Sequence, residues 1–474
     1  MQDYKTPGVY VEEIPKLPPS IASVETAIPG FIGYTEKAQW KESDDLRNKP
    51  WRIGSLLEYE QFFGYPAPEV NSLSVTIKES PTLEINGKVD ETLRVKFLMH
   101  YQMQMYFANG GGPCWIISVD NYTNEGGLIN AEKLLAGLEE AAKINEITLL
   151  LFPDAINLSS QSDYYSVYDA AIQQCVDLQD RFTVMDVYHL PENQNNFGLD
   201  VQLFRDTLSG TTDELKYAAA YFPRIYTNIN YSYRPSGSDS DNDAAVAVAG
   251  FADATNLAEL KGANNKYYFL AKDRIRNIEM LLPPSAAMAG IYAKVDNLRG
   301  VWKAPANVNI DMAIRPEFLI TAKQQETLNV DVQAGKSINV IRKFEGRGPA
   351  IVWGARTLAG NDNEWRYVSV RRFFIMVEES TKNATEQFVF EPNDRNTWVR
   401  VKSMISNYLT QQWKAGALMG TTEKEAFFVH VGLGETMTEV DIWEGRMIIE
   451  IGMAVVRPAE FIILRFMHKM LAES

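Results

Sequence analysis

Asp154 and Asp186 are the residues best placed to do chemistry. They stand at or near the ends of two short apolar runs, Thr148 to Phe152 and Phe182 to Val187, that read as parallel β-strands. Strand ends are where α/β enzymes place acid–base groups, so a hydrolase or transferase using Asp154 or Asp186 is one expectation. The plainer task for the same residues is to cap a helix or turn by accepting its unpaired backbone N–H groups. Other motifs fall short. Gly335-Lys336-Ser337 resembles the end of a phosphate-binding loop, but the glycine needed five residues earlier is Val330. A turn before a strand accounts for it better. Gly110-Gly111-Gly112 follows a helix and precedes a strand, the reverse of a dinucleotide loop. The histidines His100, His189, His430 and His468 are scattered, without H-E-x-x-H or a nearby cysteine. No G-x-S-x-G elbow is present. The expectation is a protein that is not an enzyme, with no cofactor and no metal.

The elements that would hold those acids alternate. A helix over 128–146 leads to the first strand, a helix over 163–180 to the second, and a helix over 199–208 to a strand near Tyr217 to Ile225. That rhythm predicts a mostly parallel α/β sheet. Upstream, Ala27 to Thr35 reads as a buried strand and Leu56 to Phe63 as a helix stopped by Gly64. Residues 66–93 read as an insertion with a hairpin turn at Asn86-Gly87. Phe97 to Asn109 reads as a buried helix, and Cys114 to Val119 as a strand. An Ala-rich helix is expected beyond Asp243, then a break at Pro283-Pro284. From about residue 335 short strands rich in Arg and aromatics surround one helix, begun by an Asn393 or Asp394 cap and ended at Gly416. Trp398, Val401, Ile405, Tyr408 and Gln412 share one face of it.

The two ends pose a separate problem. Arg446 to Phe466 predicts a strand pair: an alternating run through Met447, Ile449, Ile451, Met453 and Val455, a break at Arg457-Pro458, then Phe461-Ile462-Ile463-Leu464-Arg465-Phe466. Pro7 to Ile14, including Val9, Tyr10, Val11 and Glu12, is a second short β-prone run. Uncovered strands of this kind aggregate unless something pairs with them, so both ends are expected to pair with other copies of the chain.

Composition narrows the partners. The net charge is −15, from 46 basic and 61 acidic residues, which disfavours nucleic acid and anionic membranes and favours a partner with a complementary face. Two cysteines, Cys114 and Cys175, exclude a disulfide framework and point to a reducing compartment. The start lacks the pattern of a secretory signal, and no apolar run approaches the ~18 residues of a membrane span. Synthesis in the cytoplasm is the expectation. Basic clusters at Arg342-Lys343, Arg371-Arg372 and Arg395 to Lys402 read either as solvated faces or as a stripe facing an acidic partner.

Ordered stretches of the chain resemble the tail sheath family of contractile bacteriophage tails and related injection systems. They are Pro7 to Glu13, Ala289 to Asp296, Arg299 to Asn307, Asn339 to Arg342, Gly346 to Gly348, Val352 to Leu358, Trp365 to Arg372, Phe390 to Asn393, Gly416 to Gly420, Gly445-Arg446 and Pro458 to Phe461. Residues 36–285 match more loosely, and Val455-Val456 stands where many relatives have Ala-Pro.

The resemblance implies a multi-domain α/β and α+β fold. A C-terminal core over 340–474, a small sheet plus helices, would be completed by an N-terminal arm (1–25) and a terminal donated strand (461–466). The region 26–339 would hold an outer α/β domain at about 113–300 and the variable insertion 66–93. The implied function is a subunit of a helical sheath of hexameric rings around an inner tube, contracting to drive the tube through an envelope. Val9, Tyr10, Val11 and Glu12 would form one intersubunit strand, Phe461, Ile462, Ile463, Leu464, Arg465 and Phe466 the other. Arg371, Arg372, Arg395, Arg400 and Lys402 would face the tube. Further implied partners are baseplate and tail-terminator or cap proteins, in a phage tail or injection particle assembled in the cytoplasm and then released or anchored. Nucleic acid and direct membrane insertion are not expected. A static self-assembling shell protein is the remaining alternative.

Overall fold

A computed structural model describes residues 21–465, apart from 191–192, 194–195, 236–237, 239 and 332. The described residues form two compact units, one of residues 25–376 with 457–465, the other of residues 21–24 with 377–456.

The larger unit is built on a nine-stranded sheet. Its spatial order is Val308–Asn309, Gly348–Val352, Ile338–Phe344, Ala218–Phe222, Phe182–Asp186, Leu149–Leu151, Pro29–Thr35, Cys114–Asn121 and Trp51–Ile53. The five pairings from Ile338–Phe344 across to Cys114–Asn121 are parallel, and the strands at both edges are antiparallel. Every residue of Pro29–Thr35, Leu149–Leu151, Phe182–Asp186 and Ala218–Phe222 is buried, as expected where helices cover both faces of a parallel sheet. Helices Ala131–Ala141 and Gln161–Leu178 are the expected crossovers, started by Asn130 and Ser160 side chains that accept from Glu132 and Asp163 N–H.

Two sequence expectations need correction. Asn86-Gly87 lies inside the strand Glu84–Val89, which pairs antiparallel with Leu73–Lys78 through a connection at 79–83. A Cβ at Gly87 would stand 3.0 Å from the carbonyl oxygen of Arg274, so this glycine admits the helix Asn265–Arg276 rather than making a turn. The region after Asp243 is a short strand, Ala247–Ala249, parallel to Leu73–Lys78, followed by the helices Leu257–Ala263 and Asn265–Arg276. Its alanines sit at a sheet edge, where pairing overrides helix propensity.

The smaller unit centres on the helix Arg395–Lys414. The Asp394 side chain accepts from Thr397 N–H at 3.0 Å, and Gly416 follows its end at φ +90°, both as the sequence indicated. Val401, Ile405 and Tyr408 are buried along its apolar face. A two-stranded antiparallel sheet, Phe427–His430 with Glu450–Met453, completes the unit.

Candidate functional site

Asp154 and Asp186 perform the same task on two helices. Asp154 Oδ1 accepts from Leu98 N (2.5 Å) and Met99 N (3.2 Å) at the start of the helix Met99–Ala108, and Oδ2 accepts from Tyr34 N (2.7 Å). The approach depends on Gly33, where a Cβ would lie 2.4 Å from Oδ2. Asp186 Oδ1 accepts from Ser285 N (3.0 Å), the first residue of the helix Ser285–Arg299. Burial pushes the Asp154 carboxyl up to about 6 and the Asp186 carboxyl up to about 7, against the lowering effect of these hydrogen bonds. Both are closed off from solvent, so each acts as a remote N-cap with no face open to a substrate.

The other motifs are spent in the same way. Lys336 Nζ donates to the carbonyls of Arg205 (2.6 Å) and Leu208, closing the end of the helix Phe197–Thr207, and Ser337 Oγ donates to Asn329 O. His100 meets Glu60, His189 meets Asp200 and His430 meets Glu435, while His468 lies outside the described residues. Among the described residues no three His, Cys, Asp or Glu side chains are grouped to hold a metal. Cys114 and Cys175 are buried, which pushes both thiols up.

The surfaces of interest lie elsewhere. The sheet of Phe427–His430 and Glu450–Met453 has no third strand among the described residues; only an isolated bridge, Leu418 to Val455, continues it. Phe427 and Val429 point into the unit, whereas Phe428 is half exposed, its ring lying over Gly452. The Trp398 indole donates to Asn393 Oδ1 (2.7 Å) and Asn393 Nδ2 to Arg446 O (3.0 Å), tying the helix start to the loop that enters the second strand. Ser23 Oγ donates to the Tyr408 hydroxyl (3.1 Å) and Val24 N to Ser380 Oγ (3.0 Å), so the chain emerging from its first 20 residues is fastened to this unit.

Val9, Tyr10, Val11, Glu12 and Phe466 lie outside the described residues. Of the expected final strand pair, only Glu450–Met453 is a strand, and its partner is Phe427–His430. Residues 461–465 form no strand pairing among the described residues, and Phe461, Ile462, Ile463 and Leu464 are 69–81% exposed.

The five expected tube-facing cations divide. Arg372 is buried against Asp296 (2.6 Å) and donates to Thr26 O, and Arg371 is buried over the rings of Tyr217 and Trp365. Both are internal to the larger unit, which also holds Asp296, Tyr217 and Trp365. Arg395, Arg400 and Lys402 remain at the surface, where Arg395 and Lys402 line a cleft of about 340 Å3 with Trp398, Val399, Leu433 and Glu435. Sequence reasoning missed that cleft and a fully exposed Phe390 held at φ +69°. The positive φ has no sequence signal; an apolar Val389-Phe390 pair between two helix patterns was the one available hint.

Comparison with known proteins agrees with this architecture. Residues 360–468 match the phage tail sheath C-terminal domain family. The chain in the contracted helical sheath of the anti-feeding prophage superposes with a TM-score of 0.65 at 30% identity, covering 98% of this chain and 100% of that one. A chain in the six-fold symmetrised baseplate of the anti-feeding prophage gives 0.64 at 31% identity, with 98% and 100% coverage. The tail sheath protein of Enterobacteria phage T4 is 24% identical over 174 residues, a match spanning 37% of this chain and about a quarter (24%) of that protein. The chain belongs to the tail sheath family of contractile phage tails and injection systems, and it is a sheath subunit. No helix among the described residues is long and apolar enough to cross a membrane.

Proposed function

We propose that this subunit polymerises as helically stacked hexameric rings around an inner tube, its neighbours linked by exchanged terminal strands. The arms Val9 to Glu12 and Phe461 to Phe466 would enter the two-stranded sheets of adjacent copies, where main-chain hydrogen bonds hold and side-chain pockets set register. The observation that carries this reading is that one chain holds both an exposed apolar run and a sheet of only two strands, neither paired further among the described residues. Burying four such side chains returns about 6–12 kcal/mol. Ordering six residues costs about as much, so backbone pairing decides whether a strand stays. The assembly core would comprise residues 377–456 with both arms, narrower than 340–474, since Ile338–Phe344 and Gly348–Val352 belong to the large sheet.

Contraction would exchange the weaker contacts between rigid bodies while the donated strands stay paired, driving the tube through a target envelope. Its energy would be a difference between two packings, which requires no cofactor. Arg395, Arg400 and Lys402 are the cations left to face an acidic tube. Baseplate and tail-terminator or cap proteins would bound the lattice, assembled in the cytoplasm as part of a particle. The purified chain should form hollow tubes visible by negative-stain microscopy, in two helical states of different length and width. Removal of residues 1–14 should leave soluble, unassembled protein; normal tubes from that truncation would refute strand exchange, and a single invariant state would favour a static shell.

A further inference from the structure

We propose that Glu460 and Arg356 form an anchor that passes the pull on the C-terminal arm into the nine-stranded sheet of its own subunit. The inference rests on strand donation as proposed above and concerns where the donated strand is fixed. Glu460 is the last residue before the exposed run Phe461 to Leu464. Its carboxylate is gripped by three side chains. Arg356 donates from Nε to Oε1 (3.0 Å) and from Nη2 to Oε2 (2.6 Å), Asn329 Nδ2 donates to Oε1 (2.7 Å), and the Tyr367 hydroxyl donates to Oε2 (3.1 Å). A bidentate guanidinium–carboxylate pair is among the strongest and most directional contacts a side chain makes.

The grip continues inward. The Arg356 side chain is 4% exposed, and its Nη1 donates to the carbonyl of Gly360 (3.1 Å). Its backbone is stapled on both sides by Asn339: Arg356 N donates to Asn339 Oδ1 (2.7 Å) and Asn339 Nδ2 to Arg356 O (2.7 Å). Asn339 lies in the strand Ile338–Phe344 and also donates to Ala220 O (3.2 Å) in Ala218–Phe222. Two residues on, Leu358 N donates to Ala218 O (2.8 Å). A continuous path of short polar contacts therefore runs from the root of the arm into two central parallel strands. The pair is also hard to break by half, because removing one partner leaves the other charge buried and alone. Burial raises the Glu460 carboxyl, but the bonds from Arg356 and Asn329 outweigh it and hold it below the usual carboxylate range, so the anchor is charged at neutral pH.

The fixed point explains how a strand can be tugged during contraction without peeling off the segment 457–460 behind it. The test uses full-length sheaths. Glu460→Gln keeps the shape of the side chain and removes its charge. Sheath lifetime under shear, read as length distribution by microscopy, should fall about tenfold, while hydrogen-exchange protection of 182–186 and 218–222 stays at the parent level. Parent-like lifetime would overturn the anchor, as would a shortened lifetime accompanied by lost protection in those strands, which would mark a contribution to subunit stability alone. If Glu460→Gln yields no sheath, Tyr367→Phe, lacking one hydroxyl of the grip, decides on the same two readouts. Truncation after Glu460 separates the premises: normal sheaths from it would sink strand donation, whereas their loss beside durable Glu460→Gln sheaths would sink only the anchor.

Discussion

The largest and the smallest sheet of this protein are opposites. The nine-stranded sheet has its central strands buried on both faces, its helix starts capped by Asp154 and Asp186, and its edges closed by antiparallel strands. The two-stranded sheet has one face on the helix Arg395–Lys414, Phe428 half exposed on the other, and no further strand beside it among the described residues. A pair of strands of that size is at best marginal alone in water. Among the described residues the large sheet pairs nine strands and the small one two. Under the strand exchange proposed above, that difference would make them scaffold and joint.

Core truncation gives the largest contrast. Phe31 is fully buried with its ring 5.1 Å from that of Tyr106, so Phe31→Ala should destabilise the subunit by about 3–5 kcal/mol in urea unfolding. Phe428→Ala should cost about 1 kcal/mol or less in the same assay, yet reduce tube formation seen by microscopy. Equal stability losses would dissolve the distinction between scaffold and joint.

The buried acids sharpen the scaffold side through pH. The Asp186 carboxyl is raised from the usual 3.8 to about 7 in the folded protein. The folded state therefore holds its proton longer than the unfolded state, and stability falls as pH climbs from about 4 to 7. Asp186→Asn should flatten that decline, measured as urea midpoints across the range. An unchanged slope would mean that other groups produce it.

Charge reversal at Arg395, Arg400 and Lys402 should leave subunit stability within about 0.5 kcal/mol. Co-sedimentation of sheath with tube should weaken and lose part of its salt dependence. Unaltered association would return these residues to an ordinary solvated face.

Much of the fold was legible because its signals are local. Apolar strands between helical stretches, an Asp394 cap and a glycine stop at 416 each follow from neighbours within a few residues. Asn86-Gly87 misled because a glycine needed for close approach looks like one needed for a turn. Arg371-Arg372 misled because charge in a sequence suggests exposure, whereas Asp296 and the Tyr217 and Trp365 rings give these two an interior place. The proposed joint was legible only in part: the stickiness of Phe461 to Leu464 is in the sequence, their exposure is not.

By itself the sequence determined the period of the central strands and of the helix Arg395–Lys414, the acidic balance and the two apolar ends, since these depend on residue type and spacing. Only the tertiary structure decided that the strand-end aspartates cap distant helices, that two arginines of the basic stripe are internal, and that Glu460 meets Arg356 across 104 positions. Such pairings depend on which segments the fold brings within hydrogen-bond reach, and spacing along the chain carries no record of that distance.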